Sequence, residues 1–220
     1  MKKNNVVKKF AALSLSCAMA LSLAACSGGN AGTSNSSGSG NTSGSGNGDG
    51  YKIAVVRQLD HASMNEIRDA ITAELDAKEK EMGVEIEYKD FNGNNDTSTL
   101  AQIGAEIIAG GYDAVVPIGT LAAQQMASTA QQTQTPVIYG TVSYPEVAKL
   151  TGIPYVTGTS DALNVELLLD MMLAQNPEVK TVGLLYSTSE VNSAPAIEDA
   201  KEYLDAKGIS YIEKTGNTSD

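Results

Sequence analysis

The chain has 220 residues, with 15 lysines and arginines against 26 aspartates and glutamates, a formal charge of −11. An acidic chain with two arginines in all, Arg57 and Arg68, is a poor candidate for nucleic acid or anionic membrane surfaces. Tryptophan is absent and His61 is the single histidine, so groups that titrate near neutrality are scarce.

The first residues are basic (Lys2, Lys3, Lys8, Lys9), an apolar run extends from Val6 to Leu23, and Leu23-Ala24-Ala25-Cys26 follows. That order predicts a secretory signal over 1–25, whose apolar part is too short and too rich in Ser and Ala for a comfortable membrane span. The cysteine after two alanines is similar to the acceptor of a bacterial lipoprotein signal, which implies cleavage before Cys26 and acylation of that residue. Two or more acyl chains hold a soluble domain at a membrane stably, at roughly 0.8 kcal/mol per buried CH₂. The alternative is plain secretion with an incidental cysteine. Cys17 falls in the discarded part, so a lipidated Cys26 leaves no cysteine for disulfides, metals or nucleophilic catalysis. Removing residues 1–25 deletes four lysines and no acids, leaving 11 basic and 26 acidic residues, a charge of −15.

From Ser27 to Gly50 the chain is almost entirely Gly, Ser, Asn and Thr. Such a stretch buries too little apolar area to offset chain entropy. A flexible coil of its 24 residues spans about 25–30 Å root-mean-square. Residues 26–50 are therefore expected to be a lipidated cysteine and a tether.

Beyond the tether, short apolar runs alternate with amphipathic stretches. Ile53 to Val56 predicts a buried strand. Ser63 with Glu66 forms a capping-box pattern, and Met64, Ile67, Ile71 and Leu75 recur at helical spacing up to a C-cap at Gly83. Val84 to Tyr88 alternates as a strand. Asp96 can cap a helix carrying Leu100, Ile103, Ile107 and Ile108, ended by Gly110-Gly111. Ala114 to Ile118 predicts a strand, Thr120 to Ala130 a helix and Pro136 to Thr141 a strand. The chain pauses near Thr157 to Asp161. It resumes with a helix over Leu163 to Ala174, a strand over Val182 to Tyr186, a helix over Ala194 to Ala206 with Gly208 behind it, and a strand over Ile209 to Ile212. Gly216 to Asp220 looks like the opening of another helix.

This alternation predicts an α/β fold of right-handed βαβ units with helices on both faces of parallel sheets. The pause divides it into a first lobe over 51–160 and a second over 161–220. Two strands and two helices make a poor sheet and a poor core, so the second lobe is expected to be truncated.

Ligands of open α/β sheets bind beyond the carboxyl ends of the strands. Those ends carry Arg57 to His61, Gly119-Thr120, Val142-Ser143-Tyr144 and Ser187 to Glu190, a set rich in hydroxyls and amides. Such groups recognise small polar molecules by hydrogen bonding and seldom perform acid–base chemistry. Ser63, Thr120 and the Ser189–Asn192 segment also lead into helix N-termini, where they cap the helix or help hold an anionic group. Arg57 could pair a ligand carboxylate, or bridge Asp60 or another acid. Asp161 could bind a ligand amino group or fix a hinge, and His61 has no evident partner nucleophile. Phosphate-binding glycine loops, C-x-x-C and G-x-S-x-G are all absent, which argues against nucleotide-dependent enzymes and α/β-hydrolases.

Three blocks of residues in order carry a resemblance: Gln58-Leu59-Asp60-His61; Asn92 to Gln125, with Asn94-Asn95-Asp96-Thr97-Ser98-Thr99-Leu100 and Gly119-Thr120-Leu121-Ala122-Ala123-Gln124; and Val156 to Asp161, followed by Tyr186 to Ser193. Together they resemble ABC-transporter substrate-binding lipoproteins of the tryptophan and aromatic amino-acid-binding type, over about 51–220. The resemblance implies a two-lobed type I periplasmic-binding-protein fold. It also implies ligand-lining positions at Gln58, His61, Thr120, Ser143, Ser160, Asp161, Ser187, Glu190, Asn192 and Ser193. Tyr144-Pro145 stands where the family usually has Asp-Pro.

The expectation is a monomeric, lipid-anchored binding module on the extracytoplasmic face of the cell membrane, without cofactor. It captures a small solute, an amino acid or similar metabolite, by hinge closure and delivers it to permease and ATPase subunits. A sensor domain feeding a signalling receptor is the alternative, and a surface enzyme has no nucleophile or metal motif to support it.

Overall fold

A computed structural model of the chain describes residues 50–216. The signal, Cys26 and the tether through 49 lie outside the described residues, as does the helix opening expected over 217–220. The first strand, β1 (Gly50–Arg57), is buried over its last four residues. Its neighbours β2 (Glu85–Asn92) and β3 (Ala114–Ile118) flank it in parallel, so that Val55 lies opposite both Asp90 and Val116. β4 (Val137–Tyr139) and β5 (Val156–Gly158) complete a five-stranded parallel sheet of order β2-β1-β3-β4-β5. A separate parallel pair, β6 (Thr181–Ser187) with β7 (Ser210–Gly216), forms the second sheet.

Among the described residues, five helices cover these sheets: α1 (Ala62–Met82), α2 (Thr97–Ala109), α3 (Thr120–Thr129), α4 (Val165–Gln175) and α5 (Ser193–Lys207). One core joins Ala54, Val56, Phe91 and Val115 to Leu100, Ile103 and Ile107 of α2 and Met126 of α3. Another sets Ala123 and Ala127 against Tyr139, Val142 and Leu150. Under the second sheet, Val182 and Leu184 pack on Ala200, Tyr203 and Leu204 of α5, with Leu169 and Met172 of α4 against them. The other side of that pair is open, and Leu185 is 79% exposed.

The structure departs from the sequence expectations in five places. Helix α1 starts at Ala62, and its cap is His61, whose side chain accepts the Ser63 N–H. The Ser63/Glu66 capping box is therefore not the helix boundary, because Ser63 already lies inside the first turn. β2 runs on to Asn92, carried by its pairing with β1. β4 spans three residues, not six, because Thr141 turns to a φ of +54° and ends it. The pause at Thr157-Gly158 is a strand, β5, paired with β4. Gly158 permits that close pairing, since a Cβ there would lie 2.2 Å from the Tyr139 carbonyl oxygen. β7 continues to Gly216 by pairing with β6, beyond the apolar run that announced it. Gly83 and Gly208 do close their helices in the left-handed conformation, and Asp96 caps α2.

Candidate ligand-binding site

The carboxyl ends of β1, β3, β4, β5 and β6 converge on one cleft of about 330 Å³, at the lower end of the roughly 300–1,000 Å³ usual for small-molecule sites. Gln58 is its structural centre, 3% exposed and placed directly after β1. Its main chain is locked to Ile118 and Asn95, and its side-chain Oε1 accepts the Leu121 N–H at 2.9 Å. Its Nε2 donates to Asn95 Oδ1 at 2.8 Å and to Glu190 Oε1 at 3.2 Å. That last bond joins the loop after β1 to the loop after β6, 132 residues away in sequence.

Gly119 supplies the neighbouring wall. Its φ of +98° turns β3 sharply into α3, and a Cβ there would come within 2.8 Å of Gln58 Oε1. α3 has no side-chain cap of its own at that residue, and Gln58 takes over part of that role by accepting from Leu121. One first-turn N–H of the helix is thus committed inside the protein rather than offered to a ligand.

Of the ten positions the resemblance implied, eight line the cleft: Gln58, His61, Thr120, Ser143, Asp161, Glu190, Asn192 and Ser193. Ser160 and Ser187 stand outside that lining. Ser160 Oγ donates to the Ser143 carbonyl oxygen at 2.9 Å and accepts the Ala162 N–H, so it props the loop that presents Ser143 and Asp161. Ser187 Oγ contacts Ser189 Oγ at 2.7 Å and accepts the Ser189 N–H, bracing the turn that leads to Glu190. Asp161 itself accepts from Ser143 Oγ at 2.9 Å.

Arg57 resolves in favour of structure. Buried to 8% exposure, it grips Asp90 with two bonds, Nε to Oδ1 at 3.0 Å and Nη2 to Oδ2 at 2.7 Å. Its Nη1 donates to Asn65 at 2.6 Å and to Asp60 at 3.3 Å. The Asn65 hydrogen bond, aided by the Arg57 charge, holds the Asp60 carboxyl below its ordinary value. This clamp sits behind the cleft and fixes the loop that carries Gln58 and His61. Burial, with the Asp199 carboxylate nearby, pushes the Tyr144 phenol up.

Sequence reasoning left Ser63 open between helix capping and ligand contact, and it missed Met64 and Ile67 of α1, and Thr141, as lining residues. Met64 and Ile67 show the same periodicity as core positions, and nothing in the sequence marks the positive φ of Thr141. Among the described residues no group of three or more His, Cys, Asp or Glu side chains could hold a metal ion, and no helix is long and apolar enough to cross a membrane.

The chain is 26% identical over 172 residues to a tyrosine-binding protein of Clostridioides difficile, covering 76% of this chain and 49% of that one. It spans about half the length of the curated relatives it matches. A solved ABC domain in complex with L-Trp from Streptococcus pneumonia superimposes with a TM-score of 0.69 at 31% identity, over 77% of this chain and 58% of that one. The ligand-free, open structure of a substrate-binding protein with adhesive properties from Clostridium difficile gives 0.59 at 28% identity, with the same coverage of 77% and 58%. The fold is thus of the type I periplasmic-binding-protein kind. The model of the family described as ABC transporter substrate binding protein matches residues 52–219, and the chain belongs to that family.

Proposed function

We propose that this protein is the lipid-anchored solute-binding component of an ABC importer and captures an aromatic or similarly apolar amino acid. The observation that carries the reading is the cleft itself, where polar groups from five strand ends meet and Gln58 contacts Glu190 between the two sheets. Hydroxyls, amides and two carboxylates, with no assembled nucleophile and base, favour binding over catalysis. An adjoining hollow of about 240 Å³ shares Ser143, Asn192 and Ser193 with the cleft and adds Tyr144, Leu163, Tyr186 and Ile197. It supports a ligand with one polar end and one apolar end. The tyrosine-binding relative and the L-Trp complex support the same class. Capture works by stabilising the arrangement in which the two sheets close on the solute, and permease and ATPase subunits then receive it. Such a module acts as a monomer on the extracytoplasmic face of the cell membrane and needs no cofactor.

Ligand binding to the folded chain adds stability by mass action, about 2.7 kcal/mol at a hundredfold excess over Kd. Thermal unfolding in the presence of each of the common amino acids, with L-tyrosine and L-tryptophan first, is expected to rise by several degrees for the preferred solute. No shift with any amino acid overturns the reading.

A further inference from the structure

Tyr144 faces the second sheet from a base fixed in the first. It stands in the loop after β4, two residues beyond the wholly buried Val142. Its carbonyl oxygen accepts the Ala148 N–H at 3.0 Å, and the Ser143 carbonyl beside it accepts from Ser160 Oγ at 2.9 Å. Its side chain lines the hollow of about 240 Å³ whose other walls include Leu185 and Tyr186 of β6 and Ser193, Ala196 and Ile197 of α5. Among the described residues, two buried side-chain atoms lack a hydrogen-bond partner, the Tyr144 phenol oxygen and Asn192 Oδ1, and both residues line this hollow. A buried polar group without a partner is costly, so an arrangement that supplies one is favoured. Asn192 also lines the cleft. For the phenol, the acceptor at hand is Asp199 of α5, one turn beyond Ala196 on the same helix face. Burial raises the Tyr144 phenol and the Asp199 carboxylate raises it further, yet the oxygen is not in hydrogen-bond geometry with it.

We infer that Tyr144 is a positioning residue for capture: when the second sheet closes on the solute, the Tyr144 O–H donates to the Asp199 carboxylate and latches the closed arrangement. A hydroxyl donating to a carboxylate makes a charge-assisted bond, of the stronger kind. The ladder of the first sheet and the Ala148 bond hold the donor's main chain, and α5 holds the acceptor, so a small movement of α5 toward the loop completes the contact. A bond made only in the closed arrangement raises the population of that state. It therefore raises affinity by the same factor for every solute that closes the cleft. A hydroxyl that touched the solute would discriminate among solutes instead. This inference rests on the solute-binding reading and deepens it by naming what holds the closed state.

The test is calorimetric titration of the full chain with L-tyrosine, L-tryptophan and L-leucine, on the wild type, Tyr144→Phe, Asp199→Ala and the double variant. Tyr144→Phe keeps the ring and removes only the hydroxyl. Each single variant is expected to weaken every probe that binds by roughly five- to tenfold, as loss of a charge-assisted hydrogen bond does. The double variant is expected to be no weaker than either single one, because both remove the same bond. Thermal unfolding without solute gives a second readout. Tyr144→Phe should melt at or above the wild-type temperature, since it removes an oxygen that has no partner in the free chain. A fall of several degrees means that the hydroxyl is already bonded before capture, and it overturns the inference. Wild-type probe binding with Tyr144→Phe within twofold, additive losses in the double variant, or losses confined to one of several binding probes overturn it too, and leave the solute-binding reading standing. Failure of every probe on the wild type sinks the amino-acid reading and the latch with it.

Discussion

Gln58 and Gly119 form one unit at the cleft, and neither works without the other. The glycine holds a φ of +98°, and its missing Cβ leaves the space that Gln58 Oε1 occupies while bonding Leu121. Gly119→Ala is expected to cost about 1–3 kcal/mol through backbone strain and the displaced side chain. Chemical denaturation reads this as a lower midpoint with an unchanged slope. Solute affinity should fall with it, since Gln58 loses its position. A variant as stable as the wild type contradicts the strain argument. The sequence marked both residues by their place at strand ends. It left Arg57 open between ligand and acid partners, because only the fold brings Asp90 and Asn65 to the guanidinium. It could not show that Ser160 and Ser187 stand behind the lining, since a serine next to a site and one in it have the same sequence context.

At the scale of elements, apolar periodicity located the five helices and most strands. It failed where pairing, not composition, makes the strand. β5 is a Val-Thr-Gly triplet that only its partner β4 orders, and β7 outruns its apolar residues because β6 offers an edge of equal length. α2 was fully legible: Asp96 accepts the Thr99 N–H at 2.7 Å, and Leu100, Ile103 and Ile107 turn inward. Leu100 is wholly buried and sits tightly under Gly93. Leu100→Ala is therefore expected to destabilise the chain by about 2–5 kcal/mol, through lost burial and the cavity left behind. Urea unfolding measures it, and a loss under about 1 kcal/mol would mean that the first sheet repacks freely around α2.

For the whole molecule, we propose that residues 26–50 tether the folded part to a surface while its cleft stays accessible. Cys26 is the residue on which that arrangement turns. Cys26→Ser is expected to move the protein from the membrane fraction to the soluble fraction and to abolish metabolic lipid labelling. Membrane association that survives the substitution would remove the anchor from the proposal. The open side of the second sheet, with Leu185 and Ile212 exposed, leaves this part of the molecule less well buried than the first sheet, and the sequence had indicated as much by the shortness of its second set of elements.

The sequence by itself determined the class of the fold and the edge on which a site would form. Apolar periodicity and the order of strands and helices are local properties, and the carboxyl ends of parallel strands share one edge by topology alone. Tertiary structure decided which side chains meet there. It committed Arg57 to Asp90, made His61 a helix cap and joined Gln58 to Glu190 over 132 residues. Those outcomes depend on distances between elements remote in the chain, and residue order alone does not encode them legibly.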